Sequence, residues 1–238
     1  MTIAQKPYAR DDSEWSSSDE HKDLQSIIKK VKPHVLIGTS TKPKSFSQEV
    51  VEAMADSTDR PIILPLSNPT RLHEAVPEDI IKWTKGKALI ATGSPFSPVK
   101  FEDKEFEISE CNNSTVFPGI GLGCVLSRSK LLSDKMLVAA VKALAAQSPA
   151  LKSKDGKSSE ALLPDVEDVR ELSVKIAAGV IKVSKEEGLA QVEDIPDEDE
   201  ELEEWVRCQM WEAVYRPLKL VSKEDASKHA RGEAKIAS

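Results

Sequence analysis

Three short apolar runs, separated by segments with helical periodicity, constrain the fold of this chain most strongly. The runs cover residues 35–37, 61–66 and 88–92 and consist mainly of Val, Ile, Leu and Ala. Hydrophobic and polar residues do not alternate within them, which is typical of strands covered on both faces of a parallel sheet. Right-handed helical crossovers join such strands. The pattern therefore predicts an α/β fold with a doubly wound parallel sheet.

Helical periodicity describes the segments between and after these runs. Ser45 and Gln48 have the spacing of a capping box, and Gly188 supplies a stop signal. The predicted helices cover residues 20–31, a segment beginning near Ser45, and residues 77–83, 132–147 and 168–187. Helices predominate beyond residue 101, so we expect a helical C-terminal extension.

The patterns divide the chain of 238 residues into four predicted segments. Residues 1–19 form an irregular N-terminal segment, and residues 20–130 form a partial, Rossmann-like parallel sheet. Residues 131–221 form the helical part. Residues 222–238 are mainly Lys, Glu, Ala and Ser, a composition that predicts disorder.

Composition excludes several classes of function. A formal net charge of -7 argues against a nucleic-acid partner, since such proteins usually carry a basic face. The apolar stretch at residues 136–146 is too short to span a bilayer and contains Lys142, so no membrane partner is expected. The 3 cysteines lack the spacing of a zinc site or a disulfide framework. We expect an intracellular protein, with cytoplasm and mitochondrial matrix not distinguished.

Asparagine residues follow the predicted strands at two places. Asn68 lies in Ser-Asn-Pro-Thr directly after the second run, and Asn112 and Asn113 precede a glycine-rich segment. Ligands collect at the carboxyl ends of parallel strands, and a neutral amide holds a carboxylate or carboxamide without burying a charge. We expect Asn68 and at least one of the paired asparagines to face a common cleft. A simple Asn-Pro turn and a loop with left-handed asparagines are the alternatives.

Taken together, the motifs resemble the later half of the malic enzymes. No single tetrapeptide is specific, but the whole set occurs in the family's order and spacing from about Gln5 to about Pro217. The matching segments are residues 32–40, Phe46, and residues 52–54, 60–61, 67–70, 92–96, 112–113, 117–119, 176–178 and 214–217.

The resemblance implies an activity and roles for particular residues. Malic enzymes oxidise malate with NAD or NADP and decarboxylate the ketoacid on a divalent metal, giving pyruvate and CO2. By resemblance, Asn68 stands at the mouth of the nicotinamide and substrate site, while Asn112 and Asn113 bind malate. The implied cofactor-binding residues are Gly38, Thr39, Ser40 and Asn68. Residues 20–130 would then be part of an NAD(P)-binding domain, and the sequence does not choose between NAD and NADP.

The chain departs from the family's pattern in three ways. The Gly-x-Gly-x-x-Gly turn that binds the pyrophosphate does not occur. By resemblance, the family's metal ligands and acid/base residues (a Tyr, a Lys, a Glu and two Asp) lie upstream of Met1, so we assign no catalytic residue and no metal ligand here. Residues 41–45 contain a proline and two lysines, which would hinder approach of the cofactor.

Several other residues have simpler explanations than a functional one. Gly119, Gly121 and Gly123 lack the strand and acidic ribose reader of a dinucleotide turn, and we predict that they serve close helix packing. His34 is predicted to be a strand-entry residue and Cys111 a small buried residue. The acidic run at residues 194–204 is predicted to be a solvated helix start rather than a cation site.

Two hypotheses remain for the function. In the first, the chain is the C-terminal part of a malic enzyme, from a truncated paralogue or an incomplete gene model, and is inactive alone. In the second, it is a non-catalytic module that pairs with a malic enzyme subunit. An in-frame glycine-rich unit encoded directly upstream of Met1 would favour the first.

Overall fold

A computed structural model of the chain describes residues 2–9, 11, 13, 23–153, 160–215 and 220–223. The chain forms two units, Met1–Cys208 and Gln209–Ser238. Residues 1, 10, 12 and 14–19 of the predicted irregular segment (residues 1–19) and residues 224–238 of the predicted disordered tail (residues 222–238) lie outside the described residues. The boundaries of the four predicted segments stay predictions.

A four-stranded parallel sheet is the centre of the first unit. The strands of the chain are β1 (Val35–Gly38), β2 (Ile62–Pro65), β3 (Leu89–Thr92), β4 (Val99–Phe101), β5 (Lys104–Phe106) and β6 (Ser109–Glu110). The order in the sheet is β1-β2-β3-β6, with every neighbouring pair parallel, and β4 and β5 form a separate antiparallel hairpin. The predicted α/β fold is therefore confirmed. The sequence did not predict β6, because two residues are too few to show a pattern.

The described helices are α1 (Leu24–Val31), α2 (Gln48–Ser57), α3 (Pro77–Trp83), α4 (Phe117–Ser127), α5 (Asp134–Ala145), α6 (Pro149–Lys152), α7 (Val169–Glu186) and α8 (Asp199–Gln209). The helices predicted at residues 132–147 and 168–187 are confirmed as α5 and α7, and Gly188 follows α7 with φ +65°.

The predicted capping box of Ser45 and Gln48 is wrong. Ser47 is the N-cap of α2, because the Ser45 amide donates to Lys42 O and so belongs to the preceding turn.

Helices α1, α2 and α3 cover one face of the sheet. Leu36, Ile63 and Ile90 point from the three long strands into this layer and are at most 8% exposed. Their partners include Ile28 from α1, Val51 and Met54 from α2, and Ile80 and Ile81 from α3. Removing this apolar surface from water provides the main stabilisation of the sheet.

The opposite face of β1 is open, contrary to the prediction of strands covered on both faces. Val35 is 42% exposed and Ile37 is 59% exposed, whereas Leu36 between them is buried. The strand lies at the edge of the sheet, and the described helices reach it from one face only. In register with Val35 and Ile37, Ile62 and Leu64 of β2 are half-buried.

Close packing of α4 on α7 organises the helical part. A Cβ atom built on Gly119 would lie 2.6 Å from Ile176 Cβ, and one built on Gly123 would lie 2.8 Å from Val180 Cβ. By contrast, a Cβ atom on Gly121 would meet nothing within 4 Å. The predicted packing role is therefore confirmed for the outer two glycines and wrong for Gly121, because the helical turn directs that position away from α7.

Helix α8 begins with acidic residues, as predicted for the run at residues 194–204. Asp199, Glu200 and Glu201 form its first turn, where carboxylates face the positive end of the helix dipole. The run also pairs with lysines of α7, since Lys175 Nζ lies 3.1 Å from Glu203 Oε2.

Candidate functional site

The predicted site residues lie where the parallel strands end. Ser40 follows β1, Asn68 follows β2, Ser94 follows β3 and Asn112 follows β6. Because all four strands run parallel, these positions belong to one edge of the sheet. We call this edge, formed by residues 38–41, 67–68, 93–94 and 111–113, the carboxyl edge.

A hydrogen bond fixes the amide of Asn68. Ser94 Oγ donates to Asn68 Oδ1 over 2.5 Å, joining the loops after β2 and β3. Gly93 permits this approach, because a Cβ atom there would lie 2.3 Å from Leu66 O. Asn68 is exposed, and its Nδ2 has no hydrogen-bond partner in the described part of the chain. The amide therefore keeps a donor for a ligand.

A buried carboxylate that the sequence did not predict joins the loops after β1 and β2. Glu74 is 0% exposed, and its Oε1 accepts from Ser40 N over 2.8 Å, from Ser40 Oγ over 2.8 Å and from Ser67 Oγ over 2.5 Å. Ser67 Oγ in turn accepts from Thr41 N over 2.8 Å. Burial raises the pKa of Glu74, but the hydrogen bonds from Ser67 and Ser40 outweigh it and hold the pKa below the ordinary value.

These bonds limit what the loop after β1 can bind. Free backbone N–H groups are the usual ligands of a phosphate. In this loop the amides of Ser40 and Thr41 already donate to Glu74 and Ser67. The loop is therefore unsuited to cradle a pyrophosphate through those two amides, and its exposed side chains remain for contact with a ligand.

Close packing against Glu74 and Phe46 explains why position 38 is a glycine. A Cβ atom there would lie 2.6 Å from Glu74 Cδ and 2.7 Å from Phe46 Cζ. These contacts already require a glycine without any dinucleotide beside it. Cofactor binding by Gly38, Thr39 and Ser40 stays a prediction, and of these three residues only Thr39 and Ser40 are exposed.

The paired asparagines begin the segment that leads into α4. Asn112 Oδ1 accepts from Ser114 N over 3.1 Å, and its Nδ2 donates to Glu110 Oε1 over 3.2 Å. Both asparagines are exposed, and neither has positive φ. They share the carboxyl edge with Asn68, with β3 between them. Binding of malate by Asn68, Asn112 and Asn113 stays a prediction.

An acidic cavity next to β6, which is not lined by Asn112 or Asn113, offers little to an anion. This cavity of about 570 Å³ beside Glu110 is lined by further carboxylates, including Glu107, Asp165 and Asp168. Their charges would repel the carboxylates of malate. Cys111, predicted to be a small buried residue, is half-buried, and burial raises the pKa of its thiol, which disfavours a reactive thiolate.

Within the described ranges, no group of three or more His, Cys, Asp or Glu side chains is arranged to hold a metal ion. None of the helices in those ranges combines the length and apolar character that a membrane crossing requires. His34 is exposed and directly precedes β1, as predicted for a strand-entry residue.

Comparison with known proteins identifies the family. Residues 1–185 match the family model for the malic enzyme NAD-binding domain. The mitochondrial NAD-dependent malic enzyme of Saccharomyces cerevisiae is 46% identical over 230 residues, which is 91% of this chain and 33% of that protein. The NAD-dependent malic enzyme of Schizosaccharomyces pombe is 44% identical over 220 residues, which is 91% of this chain and 38% of that protein.

A solved structure agrees with these relatives. The malic enzyme from Pyrococcus horikoshii Ot3 matches 78% of this chain and 36% of its own chain, with a TM-score of 0.59 and 26% sequence identity. The chain thus spans roughly a third of the length of the curated relatives it matches. From its parallel sheet, its motifs and these relatives, the chain belongs to the malic enzyme family and carries part of that family's NAD-binding domain.

Proposed function

We propose that this chain provides the nicotinamide- and substrate-facing part of the cofactor domain of an NAD-dependent malic enzyme. The reaction is the oxidative decarboxylation of malate to pyruvate and CO2. The observation that carries the proposal is Asn68, whose Oδ1 is held by Ser94 while its Nδ2 stays available at the carboxyl edge. This donor suits the carbonyl oxygen of the nicotinamide carboxamide.

The paired asparagines would contribute to malate binding. Asn112 has one amide hydrogen engaged by Glu110, which leaves a second for a substrate carboxylate. The side chain of Asn113 has no hydrogen-bond partner among the described residues. Neutral amides bind a carboxylate without adding an ion to a closing cleft.

The described residues do not fit the divalent metal of the family's reaction, because they form no cluster of suitable ligands. The proposed role of this chain therefore includes no step at a metal held by its described residues. Cofactor choice is proposed as NAD, since the matched relatives are named as NAD-dependent enzymes.

We expect the isolated chain to bind NAD weakly and to reduce none of it above background. Neither a metal-binding cluster nor the family's glycine-rich phosphate turn is present in the described residues, so the main sources of rate and affinity are missing. Absorbance of the reduced nicotinamide, with malate, NAD and a divalent metal, tests turnover. Robust turnover would contradict this assignment of roles.

Amide chemical shifts in an NAD titration test where the cofactor binds. Shift changes should concentrate at Ser40, Asn68 and Ser94, and Asn68→Ala should weaken the titration several-fold. Asn113→Ala is the matched control, because it removes the same amide group from the proposed malate side. The cofactor proposal fails if wild-type shifts do not move, or if both variants weaken NAD binding equally.

The open face of β1 supports a second candidate function, pairing with a malic enzyme subunit. Val35 and Ile37 expose apolar surface next to the half-buried Ile62 and Leu64. Contiguous exposed apolar patches mark interaction sites more often than scattered residues do.

A binding measurement separates this second candidate from the first. If this face docks on the full-length S. cerevisiae enzyme, Ile37→Asp should abolish a complex that the wild-type chain forms in sedimentation. Val141→Asp is the control, since Val141 is 61% exposed on α5, away from the sheet. Absence of a wild-type complex, or equal loss in both variants, would rule out pairing through this face.

A further inference from the structure

We propose that Glu74 is a positioning residue that holds the loops after β1 and β2 in the arrangement that presents Ser40 and Asn68 to the dinucleotide. The proposal rests on the proposed function for its cofactor part. Glu74 itself is buried and would not touch the ligand.

The bonds to one oxygen atom carry the argument. Ser40 N, Ser40 Oγ and Ser67 Oγ all donate to Glu74 Oε1, and Ser67 N lies 3.4 Å from Oε2. Accepting three hydrogen bonds at one atom suits an anionic oxygen. The carboxylate therefore fixes the two loops relative to each other, directly beside Asn68.

Backbone hydrogen bonds also join the segment around Glu74 to the loop after β1. Phe46 N donates to Glu74 O over 3.1 Å, and Lys44 N donates to His73 O over 3.4 Å. The segment around Glu74 is thus joined to the turn between β1 and α2 by main chain and side chain together. The contact of Glu74 with Gly38 closes this arrangement, because any side chain at position 38 would push the carboxylate away.

Stability alone does not explain a carboxylate at this place. Burial of an ionised group is unfavourable, and no Lys or Arg of the described residues pairs with Glu74. Instead, the carboxylate fixes the positions of the Ser40 and Ser67 groups that donate hydrogen bonds to it. The groups that contact a ligand need supporting residues that hold them in a fixed position.

Glu74→Gln is the informative change because it keeps the volume and removes the charge. An amide oxygen in place of Oε1 is a weaker acceptor for three donors. The NH₂ group in place of Oε2 then faces Ser67 N, which is also a donor. Both loops should loosen without loss of the core.

Hydrogen exchange of the Ser40 and Thr41 amides measures the loosening without any ligand. In Glu74→Gln these amides should exchange about tenfold faster, while amides of α5 keep their rates. Glu52→Gln is the matched control, since Glu52 is exposed on α2 and its contact with Gln48 can be kept by glutamine. Unchanged exchange at Ser40 and Thr41 would overturn the proposal.

An NAD titration of the same variants tests the cofactor part. Glu74→Gln should weaken NAD binding several-fold, whereas Glu52→Gln should not. If Glu74→Gln speeds exchange but leaves NAD binding unaltered, the proposed positioning of the cofactor-binding groups is overturned. Glu74 would then have only a structural role. If the wild-type chain shows no NAD response, the proposed function fails, and the exchange rates still decide whether Glu74 holds the loops.

Ser67→Ala provides a second route if Glu74→Gln does not fold. It removes the acceptor of the Thr41 amide and one donor to Glu74 with little change in volume. Exchange should then rise at Thr41 more than at Ser40, which retains its own bond to Glu74. If Ser67→Ala changes the exchange rates of the Ser40 and Thr41 amides equally and leaves NAD binding unchanged, the proposal is also overturned.

Discussion

Alanine at Gly119 or Gly123 should destabilise the chain, whereas alanine at Gly121 should stabilise it. The added methyl group at position 119 would lie 2.6 Å from Ile176 Cβ, and at position 123 it would lie 2.8 Å from Val180 Cβ. These are branch-point atoms inside a helix interface and cannot swing aside, so α4 must move away from α7. We expect a loss of about 1–3 kcal/mol for each change, the range for overpacked cores.

Gly121 provides a control within the same helix. No atom lies within 4 Å of a Cβ atom at this position, so alanine adds no clash. Alanine also restricts the unfolded chain and favours the helix, which should raise the free energy of unfolding by about 0.5–1 kcal/mol. Urea unfolding of the three variants measures these differences. A similar change in stability at all three positions would contradict the observed packing of α4 on α7.

Leucine at His73 should stabilise the protein. The imidazole is 4% exposed, and neither ring nitrogen has a hydrogen-bond partner among the described residues. The ring packs against Phe96, with 5.3 Å between the ring centroids. A buried polar group without a partner costs about 1–3 kcal/mol, so His73→Leu should raise the free energy of unfolding by about 1–2 kcal/mol at neutral pH.

The same substitution should change the dependence of stability on pH. Burial lowers the pKa of His73 below 6.5, and the charge of Glu74 opposes this only in part. The unfolded chain therefore takes up a proton before the folded chain does, and wild-type stability falls as the pH drops through that interval. His73→Leu should lose this component.

His34→Leu is the control, because His34 is exposed and its replacement should change stability by less than about 0.5 kcal/mol. Urea unfolding at several pH values between neutrality and mild acid would measure both effects. A less stable His73→Leu protein would show that the imidazole has a partner, such as an ordered water molecule.

Local sequence patterns were sufficient for the three long strands and for the main helices, but not for the short strands β4, β5 and β6. Apolar runs and helical spacing predicted β1, β2, β3, α5 and α7, because these patterns depend on residues close together in the chain. The motifs also predicted the family, and the comparison with known malic enzymes confirmed it. The glycine spacing in α4 predicted packing, but it could not show which side of the helix faces α7.

Contacts between distant residues decided the rest. Glu74 reaches Ser40 across 34 positions of sequence, and Ser94 reaches Asn68 across 26. No local periodicity marks a residue whose partners lie that far away. The open face of β1 was equally hidden, because an apolar strand has the same sequence whether or not another element covers it. The sequence by itself therefore determined the three long strands, the helices with clear periodicity and the family, and only the tertiary structure decided which side chains hold the carboxyl edge together.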